Sequence, residues 1–458
     1  MRIIKMNLQI TDNSKKDIVN DTDFKKLDEI GNKNISDLIK SNPHLLVFPQ
    51  NLGLYGDEIG KQKIFELSSG KVLTTGNIMG FIGKDNTQLT IKSRFDKGEN
   101  NYFLHYMLQK VMSINILDLP TKGGNKDDFY DFLLYFFPLY LGKALKQGLY
   151  KEYHRNEYND SNMRGVIDVK RHIKLNIPFI GKVAYTMREY VYDNPVMQLI
   201  RHTIEYMKTH PLGKLILNNK SDICENVNTI IFHTQNYNKN NRQKIINFNI
   251  KKTVNHPYFS EYRSLQKICI RILQKDKITF NEQNDKIKGL LFDGAWLWEE
   301  YIATILKEND IEHRTRRIDK LFKDRNIHIK PDFIRSKEKI KDETETASFI
   351  GDTKYKHKDE SSNNNADYYQ IMTYMFRYSC KIGYLIFPYD KTNEKKSFKE
   401  ELEIKNKSGY KVIKFGMKIP QDEKSEKFFE NFCNNIKDSE QELKREISNY
   451  IRDMAKEF

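Results

Sequence analysis

Two aspartates and a lysine in the C-terminal third of the chain are of the types that bind and use a divalent metal ion. Asp332 follows Pro331 in the run IKPDFI, and Asp352 and Lys354 stand two positions apart in FIGDTKYK. Alternate residues of a strand project to the same face, so Asp352 and Lys354 share one face of the second strand. The proline predicts an irregularity in the first strand. If the two strands pair, Asp332 and Asp352 converge on one point.

The chemistry that this arrangement predicts is metal-assisted hydrolysis of a phosphodiester. Two carboxylates, together with a backbone carbonyl, waters and a phosphate oxygen, supply the oxygen ligands that Mg²⁺ prefers, with Mn²⁺ as an alternative. A bound ion stabilises charge on the phosphate and lowers the pKa of its water. Lys354 lies where it can orient the attacking water or help to deprotonate it.

The D-x-K spacing alone is weak in a chain with 77 Lys and Arg residues. Asp23 and Lys25 match it, as do Asp168 and Lys170, and surface charge explains such pairs. The pair at 352–354 differs in its context, because an apolar strand start precedes it, Asp332 lies twenty positions upstream and a helical stretch follows. We therefore predict Asp332, Asp352 and Lys354 as the catalytic set, with the two aspartates as metal ligands.

Two flanking helices supply further candidate catalytic residues. The segment LFDGAWLWEEYIATILKEND has an apolar stripe at helical spacing, and Glu299 beside it is predicted as a third metal ligand acting through water, ahead of Glu300. The alternative is a solvated glutamate on an amphipathic helix. On the helix that begins near residue 367, Gln370 is predicted to hold Lys354 or a phosphate, with Tyr374 flanking it. The alternative for the aromatic residues of this helix is a place in the core.

Basic residues near these motifs are candidates for contacts with DNA. The candidates are Arg314, Arg316 and Arg317 in HRTRR, Lys356 and Lys358 after the second strand, and Tyr374. Phosphate contacts of this kind give affinity without sequence specificity. A solvated strand edge or basic loop is the alternative.

The pattern along the chain predicts an α+β multidomain protein. Residues 1–97 contain short apolar runs separated by glycines, which predicts a β-rich N-terminal domain. Residues 98–285 have mainly helical periodicity. Residues 286–458 combine strands and helices in the order expected of an α/β nuclease domain.

Composition narrows the class and the partners. The net charge of +15 favours a polyanionic partner, although a Lys-rich composition also follows from an AT-rich genome. The four cysteines are scattered and suit a reducing cytoplasm. No apolar run reaches the length of a membrane span, so we expect a cytoplasmic protein. The sequence contains no G-x-x-x-x-G-K-[ST], so we expect this chain to bind no nucleotide itself.

These motifs together resemble the McrC family, the nuclease subunits of McrBC-type and LlaJI-like modification-dependent restriction systems, in the PD-(D/E)xK superfamily. FDGAWLWEEYIATIL, PDFI, GDTKYK and ADYYQIMTYMF resemble the C-terminal family motifs, and MRGVIDVKRHI (163–173) resembles an element of the middle region. The run LTIKSRFD (89–96) resembles the family strand I-x-P-K-(F/Y), with Ser93 and Arg94 in place of Pro and Lys. REYVYDNPVMQLIRHTI (188–204) resembles another family segment, with Met197 and Gln198 in place of Asn and Arg. The resemblance covers pieces of residues 75–390.

The resemblance implies a specific role and specific partners. It implies a Mg²⁺-dependent DNA endonuclease that docks through its N-terminal part on a hexameric McrB-like AAA+ GTPase and stimulates GTP hydrolysis. The GTPase reads modified cytosine in double-stranded DNA, and cleavage follows when two complexes meet. The alternatives are an autonomous nuclease of DNA repair or recombination, and a non-catalytic adaptor of the GTPase.

Overall fold

The chain folds into two compact units. The computed structural model describes residues 6–18, 21–42, 45–49, 59–84, 87–96, 101–111, 128–218, 220–274, 287–314, 319–336, 346–357, 365–391, 394, 396–421 and 428–456. Unit one comprises Met1–Leu117, Thr121–Asn125 and Phe280–Phe458, and unit two comprises Asp118–Pro120 and Lys126–Thr279. Unit two is therefore an insertion between the two halves of unit one.

The N-terminal half of unit one contains two sheets and three helices. Its elements are β1 (Met6–Thr11), β2 (Lys15–Asp17), α1 (Asp21–Asp28), α2 (Ile35–Ser41), β3 (Leu45–Phe48), a 3-10 turn (Ile59–Lys61), β4 (Phe65–Leu67), β5 (Val72–Thr75), β6 (Ile78–Lys84), β7 (Thr87–Lys92) and α3 (Tyr102–Val111). β2, β5 and β4 form a small sheet in that order. Apolar side chains of both sheets and of α2 share one buried core.

Unit two combines helices with a three-stranded sheet. Its elements are α4 (Asp128–Lys146), β8 (Glu152–Asp160), β9 (Val166–Ile167), α5 (Val169–Asn176), β10 (Val183–Val191), α6 (Pro195–Thr209), α7 (Pro211–Asn218), α8 (Ser221–His233), a 3-10 turn (Lys239–Asn241), α9 (Arg242–Lys251) and α10 (Ser260–Leu273). The sheet has the order β8-β10-β9. The sequence analysis missed it because β8 is polar on both faces and lacks the alternation of a half-buried strand.

The C-terminal half of unit one is built around a six-stranded sheet. Its elements are β11 (Lys288–Asp293), α11 (Gly294–Leu306), a 3-10 turn (Lys307–Asn309), β12 (Glu312–His313), β13 (Asp319–Lys320), β14 (His328–Ile329), β15 (Phe333–Ser336), β16 (Ala347–Thr353), α12 (Asn365–Arg377), β17 (Ile382–Tyr389), β18 (Phe398–Glu403), β19 (Lys411–Lys418) and α13 (Phe428–Lys456). The strand order is β12-β15-β16-β17-β19-β18. β15 and β16 are antiparallel, whereas β16, β17 and β19 run parallel.

The predicted boundary at residue 286 is corrected by the pairing of β11. This strand lies in the N-terminal sheet, of order β1-β7-β6-β11-β3, where it pairs antiparallel with β6 and parallel with β3. Its residues Leu290, Leu291 and Phe292 are fully buried. A strand that is apolar on both faces is typical of the interior of a sheet. The strands around residues 45–92 pair with it on either side.

The predicted boundary at residue 97 is also corrected. α3, which the sequence analysis assigned to the middle region, belongs to unit one. Phe103 of α3 packs on Trp298 of α11 with ring centroids 6.1 Å apart. The buried carboxylate of Glu440 on α13 accepts hydrogen bonds from the hydroxyls of Tyr106 and Tyr301, each at 2.8 Å. α3, α11 and α13 therefore form one layer.

The predicted α+β character is confirmed at the level of a mixed fold with several sheets. Within the described residues, no helix is long and apolar enough to cross a membrane. The assignment of the C-terminal domain to the PD-(D/E)xK class stays a prediction.

Candidate active site

The pairing of β15 with β16 brings the two predicted aspartates together. Phe333 lies opposite Gly351, so Asp332, one residue before β15, lies beside Asp352. The amide and the hydroxyl of Thr353 both donate to Asp332 Oδ2, each at 2.7 Å. These two bonds fix the Asp332 carboxylate at the end of β16.

Pro331 explains why the strand is broken where the acid stands. The proline predicted an irregularity in the first strand, and the structure has a break there: β14 ends at Ile329, and Asp332 precedes the first residue of β15. A proline cannot donate a hydrogen bond to a strand ladder, which favours a break at this position. The carbonyl of Asp332 still accepts from the amide of Arg314 at 2.9 Å.

Lys354 is held between Asp352 and Gln370. Its ammonium lies 2.5 Å from Asp352 Oδ2 and donates to Gln370 Oε1 at 2.7 Å. Gln370 Nε2 donates in turn to the hydroxyl of Tyr374 at 2.9 Å. The contact that the sequence predicted between Gln370 and Lys354 is therefore present, with Tyr374 one helical turn further on.

Burial and charge shift the acid–base behaviour of this group. Burial, together with the neighbouring Asp332 carboxylate, raises the pKa of Asp352 from 3.8 to about 7, although Lys354 opposes the shift. Burial acts to lower the pKa of Lys354, but the Asp352 carboxylate outweighs it and the net pKa is raised. Lys354 is thus a positive charge that Asp352 and Gln370 hold at the site.

Glu299 is placed beside the aspartates by α11. Asp293 caps this helix by accepting from the amide of Trp296 at 2.9 Å. Burial and the nearby Asp332 carboxylate raise the pKa of Glu299.

His313 is a site residue that the sequence analysis did not identify. Its Nε2 lies 2.8 Å from Glu299 Oε1, and its ring stacks on Phe333 with centroids 5.1 Å apart. Burial acts to lower the pKa of His313, but the bond to Glu299 outweighs it and the net pKa is raised. The only signal in the sequence is that His313 opens the run HRTRR, of which the three arginines alone were predicted to have a role.

The donor chemistry of Asp332 and Asp352 fits a hard divalent ion. Both are carboxylates at the same place in the sheet, where they repel each other. A bound cation would relieve this repulsion. Among the described residues, no three Asp, Glu, His or Cys side chains lie close enough to coordinate one ion. Glu299, which His313 holds, does not join the two aspartates as a direct ligand in this arrangement.

The structure corrects two of the predicted DNA contacts. Arg314 is 1% exposed, and its guanidinium contacts Asp319 Oδ2 at 2.6 Å and the hydroxyl of Tyr378 at 3.1 Å. A buried, paired guanidinium does not reach a DNA phosphate. Tyr374 is also buried and supports Gln370. The sequence could not reveal the burial of Arg314, because a buried, paired guanidinium has no local signal, whereas the burial of Tyr374 agrees with the core position given as the alternative for this helix.

The other predicted DNA contacts are only partly covered by the structure. Lys356 forms an ion pair with Asp367 at the start of α12, a structural role that the sequence did not reveal. Arg316, Arg317 and Lys358 lie outside the described residues. A DNA contact for these four residues stays a prediction.

Comparison with known proteins gives a family match. The model of the family described as McrBC 5-methylcytosine restriction system component matches residues 73–388, a span that contains every candidate catalytic residue. The chain is similar to a refined half-complex from a tetradecameric assembly of Thermococcus gammatolerans McrB AAA+ hexamers with bound McrC, at 14% identity and TM-score 0.48, covering 94% of this chain and 100% of that one. It is also similar to a chain of the cryo-EM structure of the Thermococcus gammatolerans McrBC complex, at 14% identity and TM-score 0.33, covering 66% and 88%. No curated protein matches.

Proposed function

Because this chain belongs to the McrBC 5-methylcytosine restriction system component family, we propose that it is the DNA endonuclease subunit of a modification-dependent restriction system. The observation that carries the proposal is the hydrogen-bonded set at the end of β16. Asp332 and Asp352 converge there, and Lys354 lies between Asp352 and Gln370. These are the residue types that metal-assisted phosphodiester hydrolysis requires.

Each residue of the set has a distinct proposed role. Asp332 and Asp352 would hold Mg²⁺, which when bound stabilises charge on the phosphate and lowers the pKa of a coordinated water. Glu299 would accept from a water on that ion, with His313 orienting its carboxylate. Lys354 would orient the attacking water, and Gln370 would keep the ammonium in place while substrate enters.

We assign the nucleotide-driven part of the reaction to another chain. This sequence has no G-x-x-x-x-G-K-[ST], whose backbone amides would cradle phosphates. The family acts in restriction of 5-methylcytosine DNA, and an AAA+ GTPase of the McrB kind is the partner that the family resemblance implies. The protein would cut DNA when docked on such a ring.

The docking surface is proposed in unit two. In the described part of residues 1–97, which the sequence analysis predicted to dock, no large apolar side chain is exposed. By contrast, β9, α5 and the loop that follows expose a cluster of apolar residues, among them Val166 at 74%, Phe179 at 69% and Ile180 at 60%. A monomer rarely leaves such a cluster uncovered, which marks a surface for a protein partner.

A plasmid-cleavage assay tests the catalytic proposal. Methylated and unmethylated plasmids are incubated with Mg²⁺ and the chain alone, or with the AAA+ GTPase and GTP. Cutting that needs partner and GTP is expected. Cutting by the chain alone would move the assignment to an autonomous nuclease, and GTPase stimulation without any cutting would move it to an adaptor.

Substitutions within the assay separate catalysis from docking. Asp352→Ala is expected to abolish cleavage and leave GTPase stimulation intact. Asp23→Ala is the matched control, because Asp23 and Lys25 repeat the D-x-K spacing far from the candidate site in sequence. Loss of stimulation in Asp352→Ala would contradict the proposed separation.

The docking surface has its own test. Phe179→Glu is expected to remove both co-purification with the GTPase and stimulation of GTP hydrolysis. Phe232→Glu, on α8 of the same unit and 68% exposed, is the control for adding a charge at an exposed phenylalanine. Equal behaviour of the two variants would refute this placement.

A further inference from the structure

The residue that follows the candidate catalytic lysine is built into the N-terminal sheet. Tyr355 is 6% exposed. Its hydroxyl lies 2.8 Å from Ser93 Oγ and 3.2 Å from the sulfur of Met79. These partners, at the end of β7 and on β6, are 262 and 276 positions away in the chain. The contact therefore links two sheets of unit one next to Lys354.

Arg94 makes a second link between Tyr355 and the N-terminal sheet. Its guanidinium donates to the backbone carbonyl of Tyr355 at 2.9 Å and to Asn77 Oδ1 at 2.7 Å. It also lies over the Tyr355 ring, 4.9 Å from the centroid. Asp12 fixes Arg94 in turn, with 3.3 Å between Oδ2 and Nε and 2.5 Å between Oδ1 and the Arg94 amide. A planar fork with several donors can satisfy these acceptors together.

The helix that carries Glu299 meets the same tyrosine. Gly294, the first residue of α11, donates its amide to the carbonyl of Asn77 at 2.7 Å. A Cβ at Gly294 would lie 2.6 Å from Cε1 of the Tyr355 ring. The glycine therefore permits the ring to pack directly on the helix start. Tyr355 thus contacts both the N-terminal sheet and the helix that positions Glu299.

The backbone around Lys354 is held from two sides. The amide of Lys354 donates to the carbonyl of Ile386 on β17 at 2.9 Å, which extends the parallel ladder by one residue beyond β16. The next carbonyl, that of Tyr355, is held by Arg94 instead of by the sheet. The backbone on the C-terminal side of Lys354 is therefore held, one residue further on, by a contact from the N-terminal sheet.

We propose that Ser93 and Arg94 are positioning residues for Lys354, through Tyr355. The inference rests on the proposed nuclease function and deepens it. Ser93 and Arg94 stand where the resembled family strand has Pro and Lys. A proline offers no hydroxyl to Tyr355, and a lysine ammonium is a single donor group, whereas Arg94 contacts Asp12 through Nε and donates to both the Tyr355 carbonyl and Asn77 Oδ1 through Nη2.

The test measures cleavage by the full chain with its GTPase partner. A displacement of about 1 Å at a reacting group lowers turnover on the order of 100-fold. We expect that loss for Arg94→Ala, and a loss of about 10-fold for Arg94→Lys, which keeps the charge but not the fork. The DNA concentration for half-maximal cleavage and the stimulation of GTPase should stay unchanged. Added guanidinium ion should restore part of the activity of Arg94→Ala and none of that of Lys354→Ala.

Controls separate positioning from folding. Arg445→Ala removes an exposed arginine of α13 and should cleave like the wild type. If Arg94→Ala fails to fold, Tyr355→Phe removes the hydroxyl contacts with Ser93 and Met79, and Ser93→Ala removes the contact with Tyr355 and the bond from the Phe95 amide; each should lower turnover with an unchanged Tm. Wild-type turnover in all four variants at Arg94, Ser93 and Tyr355 overturns the inference. So does equal loss of cleavage and GTPase stimulation.

Hydrogen exchange keeps the inference testable without activity. The amides of Lys354 and Tyr355 should exchange at least about 10-fold faster in Arg94→Ala than in the wild type or in Arg445→Ala, as expected when a local contact is lost. If the wild-type complex does not cleave DNA, the proposed function fails, and exchange still decides whether Arg94 holds this strand. Unchanged exchange overturns the positioning role in either case.

Discussion

Replacing Asp352 with asparagine should remove a charge that the fold tolerates poorly at alkaline pH. The side chain is 2% exposed, and burial beside Asp332 raises its pKa from 3.8 to about 7. The folded state therefore binds this proton more tightly than the unfolded state does. The stabilising contribution is fully present below pH 3.8 and is lost as the pH rises through about 7. The asparagine variant has no such loss.

The magnitude follows from the two pKa values. In the wild type, ionisation of Asp352 lowers the free energy of unfolding by about 2 kcal/mol at pH 5 and by about 4 kcal/mol at pH 8. The advantage of Asp352→Asn should therefore grow by roughly 2 to 3 kcal/mol between these two pH values. The attraction between ionised Asp352 and Lys354 is already contained in the pKa of about 7, so it adds no separate pH-dependent contribution.

Urea unfolding at pH 5 and pH 8 measures this difference, and plasmid cleavage is measured alongside. We expect a variant that gains stability relative to the wild type as the pH rises and that does not cleave DNA. Asp324→Asn, at an exposed position of unit one, controls for the removal of a carboxylate as such. A stability difference that is flat with pH would refute the argument that burial disfavours the charged Asp352.

Three further outcomes follow from the site and its supports. Gln370→Ala frees the Lys354 ammonium and should lower cleavage turnover about 10-fold at unchanged half-saturating DNA; an unchanged turnover would show that Asp352 alone suffices. Gly294→Ala places a Cβ against the Tyr355 ring and should lower the free energy of unfolding by about 1 to 3 kcal/mol in urea titration. Gly76→Ala, with open space at its Cβ, should have no comparable effect. Millimolar Mg²⁺ should raise the Tm of the wild type at pH 8 and leave that of Asp352→Asn unchanged; an equal rise would place the ion elsewhere.

The sequence identified residues whose chemistry depends on local pattern. Asp332, Asp352 and Lys354 were found because strand alternation and a following helix are visible in sequence. Gln370 was found because it precedes Tyr374 by one helical turn, and the structure shows the bond to Lys354. The assignment to the McrBC component family is confirmed by the family match over residues 73–388. It was possible from sequence because several motifs were considered together. The catalytic roles stay predictions.

What the sequence did not reveal depends on contacts between distant segments. The pairing of β12 with β15 places His313, whose Nε2 contacts Glu299 Oε1. No local sequence pattern indicates this pairing. Arg314 looks basic and exposed in HRTRR, yet it is buried and paired with Asp319. Arg94 was noted as a departure from a family strand, but its meaning required the position of Tyr355. Periodicity shows which face of a helix or strand is buried, but it does not show which other element covers that face.

The pairing of β11 predicts that the C-terminal third will not fold by itself. A fragment of residues 286–458 would expose Leu290, Leu291 and Phe292, which are now fully buried between β6 and β3. At about 1.5 to 3 kcal/mol for each such side chain, the loss is roughly 5 to 9 kcal/mol, comparable with the whole stability of a typical domain. We expect this fragment to be insoluble or to unfold at ambient temperature, whereas deletion of unit two by joining residues near 111 and 287 should retain the fold of unit one.

A soluble 286–458 fragment with cooperative unfolding would contradict this reasoning and would make an autonomous nuclease the stronger interpretation. Because β11 continues directly into α11, the strand that completes the N-terminal sheet also sets where Glu299 stands, so the sheet and the site are expected to be lost together.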